Sequence, residues 1–133
     1  MSNRPYCLHH TNVPTTNPQR TWEWYSRVFG LKRVYAASNT KILLLTNGNF
    51  DLHFTPFRPE KFPRLKPLHF AIEVESWAGF MKHLDELGVY HTKTVERPQN
   101  NSKFCYVHDP DGNMIELTYH GNRHLETAEL MSA

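Results

Sequence analysis

Apolar and polar positions along the chain fall into two successive blocks with the same rhythm. From Tyr6 to Pro14, Leu8, Thr11 and Val13 stand among small and polar residues and predict a strand. Asn17-Pro18 marks a helix start, with Asn as the cap and Pro at the first helical position. Trp22, Tyr25, Val28 and Phe29 then recur at helical spacing, and Gly30 is a natural stop. Leu31 to Ala37, Lys41 to Thr46 and Asn49 to Thr55 predict three further strands. Asn47-Gly48 between the last two is a hairpin signal, because both residue types tolerate positive φ. Pro56 to Pro67 holds four prolines and reads as a linker, neither helix nor central strand.

After the linker the rhythm returns. Leu68 to Glu75 alternates Phe70, Ile72 and Val74 and predicts a strand. Ser76 caps a helix carrying Trp77, Phe80, Met81, Leu84 and Leu87, which Gly88 ends. Tyr90 to Val95, Lys103 to His108 and Asn113 to Tyr119 predict three more strands. The last two flank Asp109-Pro110-Asp111-Gly112, a turn in which Pro presets φ and Gly accepts positive φ. Arg123 to Met131 predicts a short terminal helix.

The blocks also match residue by residue. Leu-His-His-Thr-Asn-Val from Leu8 lines up with Leu-His-Phe-Ala-Ile-Glu from Leu68, and Phe29-Gly30-Leu31 with Leu87-Gly88-Val89. Phe50-Asp51-Leu52 lines up with Ile115-Glu116-Leu117, which makes Asp51 the repeat-equivalent of Glu116. The expected fold class is therefore α+β: an internal duplication of two βαβββ modules in one domain over residues 1–133. Module one covers about 6–55, the linker 56–67, module two 68–119, and a tail 120–133. The two mixed sheets are expected to pair around a concave metal-binding cavity.

Composition narrows the function. A chain of 133 residues, with 39% apolar and 13% aromatic residues, is long enough for one packed core. The net charge is +2 with acids and bases interspersed, so the basic block of a nucleic-acid or membrane-surface protein is missing. The longest apolar stretches, such as Ile42 to Leu45, are far too short to span a membrane, and Met1 to Pro5 lacks an apolar signal core. The expected location is the cytoplasm. There Cys7 and Cys105 read as reduced core residues, not as a disulfide.

Nine histidines remain to be sorted by position. A His opens the first strand of each module, and an acid sits in each fourth strand. Strand alternation puts Leu8, His10 and Asn12 on one face and Cys7, His9, Thr11 and Val13 on the face toward the helix. Met114, Glu116 and Thr118 likewise share a face opposite Ile115 and Leu117, while Phe104 and Tyr106 point into the cavity opposite Cys105 and Val107. Two imidazoles and a carboxylate bind borderline divalent metals and leave coordination positions open, so His10, His69 and Glu116 are the candidate ligands. Any one of the three alone reads as an ordinary capped or solvated strand residue; the repeat-equivalent set points to a metal. Asp51 and His53, on one strand face, are candidates for a fourth ligand or a general base. His9 reads as structural, and His83, His91, His108, His120 and His124 as surface residues.

These residues resemble the vicinal oxygen chelate superfamily, which includes glyoxalase I, fosfomycin-resistance proteins, extradiol dioxygenases and bleomycin-resistance proteins. The resemblance rests on the opening His, Trp24-Tyr25, Phe29-Gly30 and Asp-Pro-Asp-Gly-Asn-Met-Ile-Glu-Leu from Asp109, and covers roughly Tyr6 to Tyr119. It implies a glyoxalase-like domain with His10, His69 and Glu116 at the metal-ligand positions, Asp51 or His53 as a fourth, and one divalent ion (Fe, Mn, Ni, Co or Zn) per site. It implies Glu116, Tyr106 and His53 as catalytic residues, and Asn12, Phe104 and Lys93 as substrate-binding residues. The activity it implies first is that of a metal-dependent lyase or isomerase on a small molecule whose adjacent oxygens chelate the metal. An Fe(II) ring-cleaving dioxygenase and a resistance protein that modifies or binds an antibiotic are the alternatives.

The apolar rim and edge strands of one module's sheet need a second module to cover them. The linker is long enough to span roughly 36–40 Å if extended, but its prolines stiffen it, which favours pairing across a two-fold axis. The expected state is a homodimer. Light scattering should report roughly twice the chain mass of 15.6 kDa; a single-chain mass would remove the two-fold arrangement.

Overall fold

The computed structural model describes residues 3–35, 41–64 and 68–121. The expected terminal helix at Arg123 to Met131, and His124 within it, lie outside the described residues. Two compact units emerge, one of Met1–Leu65 with Asp109–Asn113, the other of Lys66–His108 with Met114–Ala133. Among the described residues no helix is long and apolar enough to cross a membrane.

The first unit runs β1 (His10–Thr15), α1 (Pro18–Phe29), β2 (Lys32–Val34), β3 (Leu43–Thr46) and β4 (Asp51–Pro56). Its sheet has the order β1-β4-β3-β2, with β1 parallel to β4 and the other pairs antiparallel. Helix α1 starts as its sequence dictates: the Asn17 side chain accepts from the Arg20 N–H, and Pro18 fills the first turn, where no N–H is needed. It ends at Gly30, whose left-handed φ of 67° lets its N–H return to the Ser26 carbonyl. Alternation sorts the strands. Val13 and Thr15 of β1, Leu43 and Leu45 of β3, and Leu52 and Phe54 of β4 are buried with Tyr25 and Val28 of the helix. The residues between them keep some access to solvent.

Several boundaries differ from the sequence reading. β1 begins at His10, not Tyr6, because its ladder starts where His10 meets Asp51 and the chain before Asp51 turns away into the hairpin. Cys7 is consequently exposed rather than in the core, while Cys105 is buried as expected. In the hairpin only Gly48 takes positive φ (92°); Asn47 acts instead through its side chain, which accepts from the Asn49 and Phe50 N–H groups. Among its described residues the linker contains a 3-10 turn at Pro59–Lys61, where proline again occupies a position that needs no donor.

The second unit repeats the plan with β5 (His69–Glu73), α2 (Trp77–Leu87), β6 (Val95–Arg97), β7 (Ser102–His108) and β8 (Met114–His120). The sheet order is β5-β8-β7-β6, with β5 parallel to β8. Ser76 accepts from the Gly79 N–H, and Gly88 closes the helix at φ 69°. Val74, Trp77, Leu84, Cys105, Val107, Ile115 and Leu117 are buried. The strand expected at Tyr90 to Val95 is not formed; the ladder with β7 covers Val95–Arg97 instead. The Thr92 N–H does reach the Tyr106 carbonyl, but the Tyr106 N–H is taken by the Thr92 hydroxyl, so a side chain stands where a strand carbonyl would.

The Asp109–Gly112 turn forms as expected, with Gly112 at φ 86° and its N–H on the Asp109 carbonyl. Its acids do more than turn the chain. Asp109 is buried and accepts from the Tyr25 hydroxyl at 2.7 Å, from Asn113 Nδ2 at 2.8 Å, and from the N–H groups of Asp111 and Asn113. Asp111 accepts from the Thr16 N–H and from Arg20 at 2.8 Å, and Asn113 donates to the Pro14 carbonyl. Burial raises the Asp109 carboxyl above its ordinary range, against the lowering effect of Asn113 and Tyr25. Burial and Asp109 push the Tyr25 phenol well up, so it remains the donor.

Asp109→Ala strips several buried donors of their acceptor at once. At about 1–3 kcal/mol for a buried group left unsatisfied, urea denaturation should show a loss of at least about 2 kcal/mol. Tyr25→Phe leaves Asp109 its other donors and should cost about 1 kcal/mol. Equal stability of Asp109→Ala and the parent would remove the turn from the core.

Candidate metal ligands and catalytic groups

Both candidate clusters are placed by strand register. In the second unit β5 and β8 run parallel with His69 opposite Met114 and Ala71 opposite Glu116. His69 and Glu116 thus stand on one face of adjacent strands, and His69 Nε2 lies 3.3 Å from Glu116 Oε1. On the other side of β8, Tyr106 is directly opposite Glu116. Its hydroxyl donates to the same Glu116 oxygen at 3.4 Å, and its ring meets His69 edge-on at 5.6 Å. Burial raises the phenol above its ordinary value, the Glu116 charge and hydrogen bond add to this, and Arg97 opposes it; the hydroxyl stays a donor. Phe104 lies next on the same face, 5.9 Å from the Tyr106 ring, with the Arg97 guanidinium 4.3 Å over its own. Lys93 is exposed on the segment leading into β6.

The first unit uses the same frame with different donors. His10 opens β1 opposite Asp51, and Asn12, two residues on, is opposite His53. Since Ala71, two residues after His69, is opposite Glu116, the counterpart of Glu116 is His53. The sequence alignment that equated Asp51 with Glu116 was shifted by two residues, a shift that keeps the same sheet face and so leaves the alternation intact. Asn12 is exposed, and its side-chain oxygen accepts from the Thr55 hydroxyl at 2.9 Å.

His10, His53 and Asp51 come together, and His9 joins them. The His10 and His53 rings stack at 3.8 Å, and His9 Nδ1 lies 3.0 Å from His10 Nδ1. Asp51 Oδ2 is 3.7 Å from His9 Nε2 and 3.8 Å from His53 Nε2. His9 was expected to turn toward the helix, but it precedes the first rung of β1, so strand alternation does not govern its side chain. Loss of solvation lowers the His53 imidazole below its ordinary value, His10 and His9 lower it further, and Asp51 opposes them.

Other histidines are less bland than the sequence suggested. His120 is half-buried, with Nδ1 2.8 Å from Glu73, and His91 is half-buried between the Thr92 carbonyl and Asp85. His83 is also half-buried, while His108 is exposed as expected.

Against known proteins, residues 7–117 match the Glyoxalase/Bleomycin resistance protein/Dioxygenase superfamily. The chain is similar to a trivalent organoarsenical cleaving enzyme of Bacillus sp. (strain MD1), 30% identical over 118 residues, covering 83% of this chain and 71% of the relative. Among solved structures it is similar to a glyoxalase family protein from Bacillus anthracis, with a TM-score of 0.76 and 22% identity over 90% of this chain and 99% of the other. It is also similar to lactoylglutathione lyase from Agrobacterium tumefaciens, with a TM-score of 0.68 and 20% identity over 87% and 95%. These two likenesses are of fold.

The His53 shift carries a sign. Its folded value lies below the ordinary 6.5, so the metal-free fold favours neutral imidazole. That contribution is present above pH 6.5 and is lost as pH falls through the folded value. Urea midpoints of metal-free protein should therefore drop more between pH 7.5 and pH 5.5 for the parent than for His53→Gln. Parallel curves would show that His53 titrates alike in both states.

Proposed function

The chain belongs to the Glyoxalase/Bleomycin resistance protein/Dioxygenase superfamily, and on that premise we propose that it is a divalent-metal enzyme of glyoxalase type. It acts as a lyase or isomerase on a small molecule that offers adjacent oxygens. The observation that carries this reading is the His69–Glu116–Tyr106 group, in which an imidazole and a hydroxyl converge on one carboxylate oxygen. An imidazole nitrogen and a carboxylate oxygen bound to one ion at about 2.0–2.2 Å stand about 3 Å apart, and His69 and Glu116 already hold theirs at 3.3 Å. The donor chemistry fits a borderline cation, so His69 and Glu116 are proposed as ligands within the second unit. Such an ion supplies Lewis-acid polarisation of substrate oxygens.

The chain's own groups do the rest. In this reading Glu116 takes and returns a proton at a carbon next to a bound oxygen. Tyr106, kept protonated, donates to an oxygen on which charge develops. The Phe104 ring, backed by Arg97, offers an apolar wall beside it. The similarity to an organoarsenical cleaving enzyme supports bond cleavage in a broad sense. An arsenical substrate is not adopted, because a soft trivalent centre is best held by thiolates. Here Cys105 is buried with its thiol pushed up to about 11, and Cys7 is exposed on the other unit. A second reading, an Fe(II) ring-cleaving dioxygenase, draws on the Tyr106 hydroxyl standing opposite the ligand Glu116.

The test uses the purified chain, stripped by chelator and reloaded with Ni, Co, Zn, Mn or Fe(II), on hemithioacetals and catechols with and without oxygen. Turnover is expected to vanish on stripping and to return without oxygen. Glu116→Gln and His69→Ala should lose at least about 100-fold, beyond the roughly 10–100-fold that outer-shell changes cost. Tyr106→Phe should fold normally and lose about 10-fold or more in turnover. Oxygen uptake with Fe(II) alone would replace the first reading by the second. Full activity in Glu116→Gln would defeat both.

A further inference from the structure

Among the described residues, and outside the His69–Glu116–Tyr106 group, a dense set of ligating side chains lies wholly within the first unit. One ring nitrogen from each of His9, His10 and His53 falls within 4.8 Å of the other two. The backbone holds them there. His10 and His53 stand on adjacent parallel strands, and the His9 carbonyl accepts the Asp51 N–H at 3.0 Å as part of the first rung, which ties the His9 backbone to the start of β4. The rings lie outside the core face: His9 keeps 72% of its side-chain exposure and His53 keeps 18%, and the buried residues of β1 and β4 lie on the opposite face. Nor do they make an economical hydrogen-bonded group. The two facing Nδ1 atoms of His9 and His10 can share only one proton, and the His10 ring lies flat on that of His53. A cation resolves this, because each neutral ring then has a lone pair to give.

We propose that His9, His10 and His53 form a three-imidazole site for a borderline divalent cation, Zn2+, Ni2+, Co2+ or Cu2+, contained in the first unit and needing neither His69 nor Glu116. Nitrogens bound to a tetrahedral ion at about 2.0–2.1 Å are about 3.3 Å apart; His9 and His10 already present theirs at 3.0 Å. Imidazole suits these ions, and an all-nitrogen set disfavours Mg2+ and Ca2+. Asp51 has the outer role. Its carboxylate stands 3.7 Å from His9 Nε2 and 3.8 Å from His53 Nε2, where its charge favours the tautomers that carry the proton on that nitrogen. His9 is the distinguishing residue, since it has no part in the enzyme reading above.

The His69–Glu116 pair of the second unit offers a cation another place, so the test removes that pair first. In the full chain carrying His69→Ala and Glu116→Gln, Zn2+ is titrated in competition with a chromophoric chelator, and Cu2+ is followed by electron paramagnetic resonance. About one equivalent should remain bound, with nitrogen splitting from imidazole. Adding His9→Gln should weaken it on the order of 10-fold or more, and adding His53→Gln as well should abolish it. Both are polar replacements on a face away from the core, and circular dichroism checks the fold of each variant. Loss of all tight metal from the His69→Ala, Glu116→Gln chain would overturn this site and leave the enzyme reading standing. One equivalent retained together with full turnover would uphold the site and defeat the enzyme reading. Unchanged affinity on adding His9→Gln would also overturn it.

Discussion

Parallel pairing of the first and fourth strands of each module is the constraint on which the chemistry depends. Parallel neighbours cannot be joined by a tight turn, so the helix and two intervening strands of each βαβββ module form the crossover. Once β1 lies beside β4 and β5 beside β8, a side chain near the start of one strand has a fixed neighbour on the other. Alternation then decides which side chains face away from the helix. Leu52 and Phe54 are buried, and Asp51 and His53 are not; Ile115 and Leu117 are buried, and Glu116 is half-accessible. A slip of one residue would bury the charged and imidazole groups and expose the aliphatic ones, so the hydrophobic effect itself holds the register of these groups.

The same frame carries different donors in its two copies. At matching ladder positions the second unit has Glu116 and the first has His53. The second unit's group is an imidazole, a carboxylate and a phenol, suited to moving a proton. The first unit's group is three imidazoles with a carboxylate behind them, suited to holding a cation. Duplication followed by divergence at one or two positions per strand is enough to produce this, because the backbone register does not change with the side chain.

The buried acids of the β7–β8 turn show another use of polar residues. Asp109 and Asp111 lie in the first unit, where they collect donors from Tyr25, Thr16, Arg20 and Asn113. A buried carboxylate is tolerable only when so many donors meet it. Among the described residues no buried side-chain nitrogen or oxygen lacks a partner. The Asp-Pro-Asp-Gly-Asn motif is thus both a turn and a structural anchor, which local turn chemistry alone does not reveal.

Local physics made much of the molecule legible in its sequence. Asn17-Pro18 and Gly30, and Ser76 and Gly88, bound the two helices because caps and left-handed glycines act over a few residues. The period-two pattern gave the buried faces of β4, β7 and β8, and with them the shared face of Glu116 and Tyr106. What depended on pairing was not legible. Where β1 begins is set by where β4 offers a partner, so Cys7 lies exposed and His9 is released from strand alternation. The strand expected at Tyr90 gave way to Val95–Arg97 because the Thr92 hydroxyl occupies the Tyr106 N–H. The exchange of Asp51 for His53 as the counterpart of Glu116 followed from a two-residue register that leaves the hydrophobic pattern unchanged. The sequence determined which side chains each strand shows; only the hydrogen-bonded register between strands decided which of them meet, because alternation repeats every two residues and cannot tell one rung from the next.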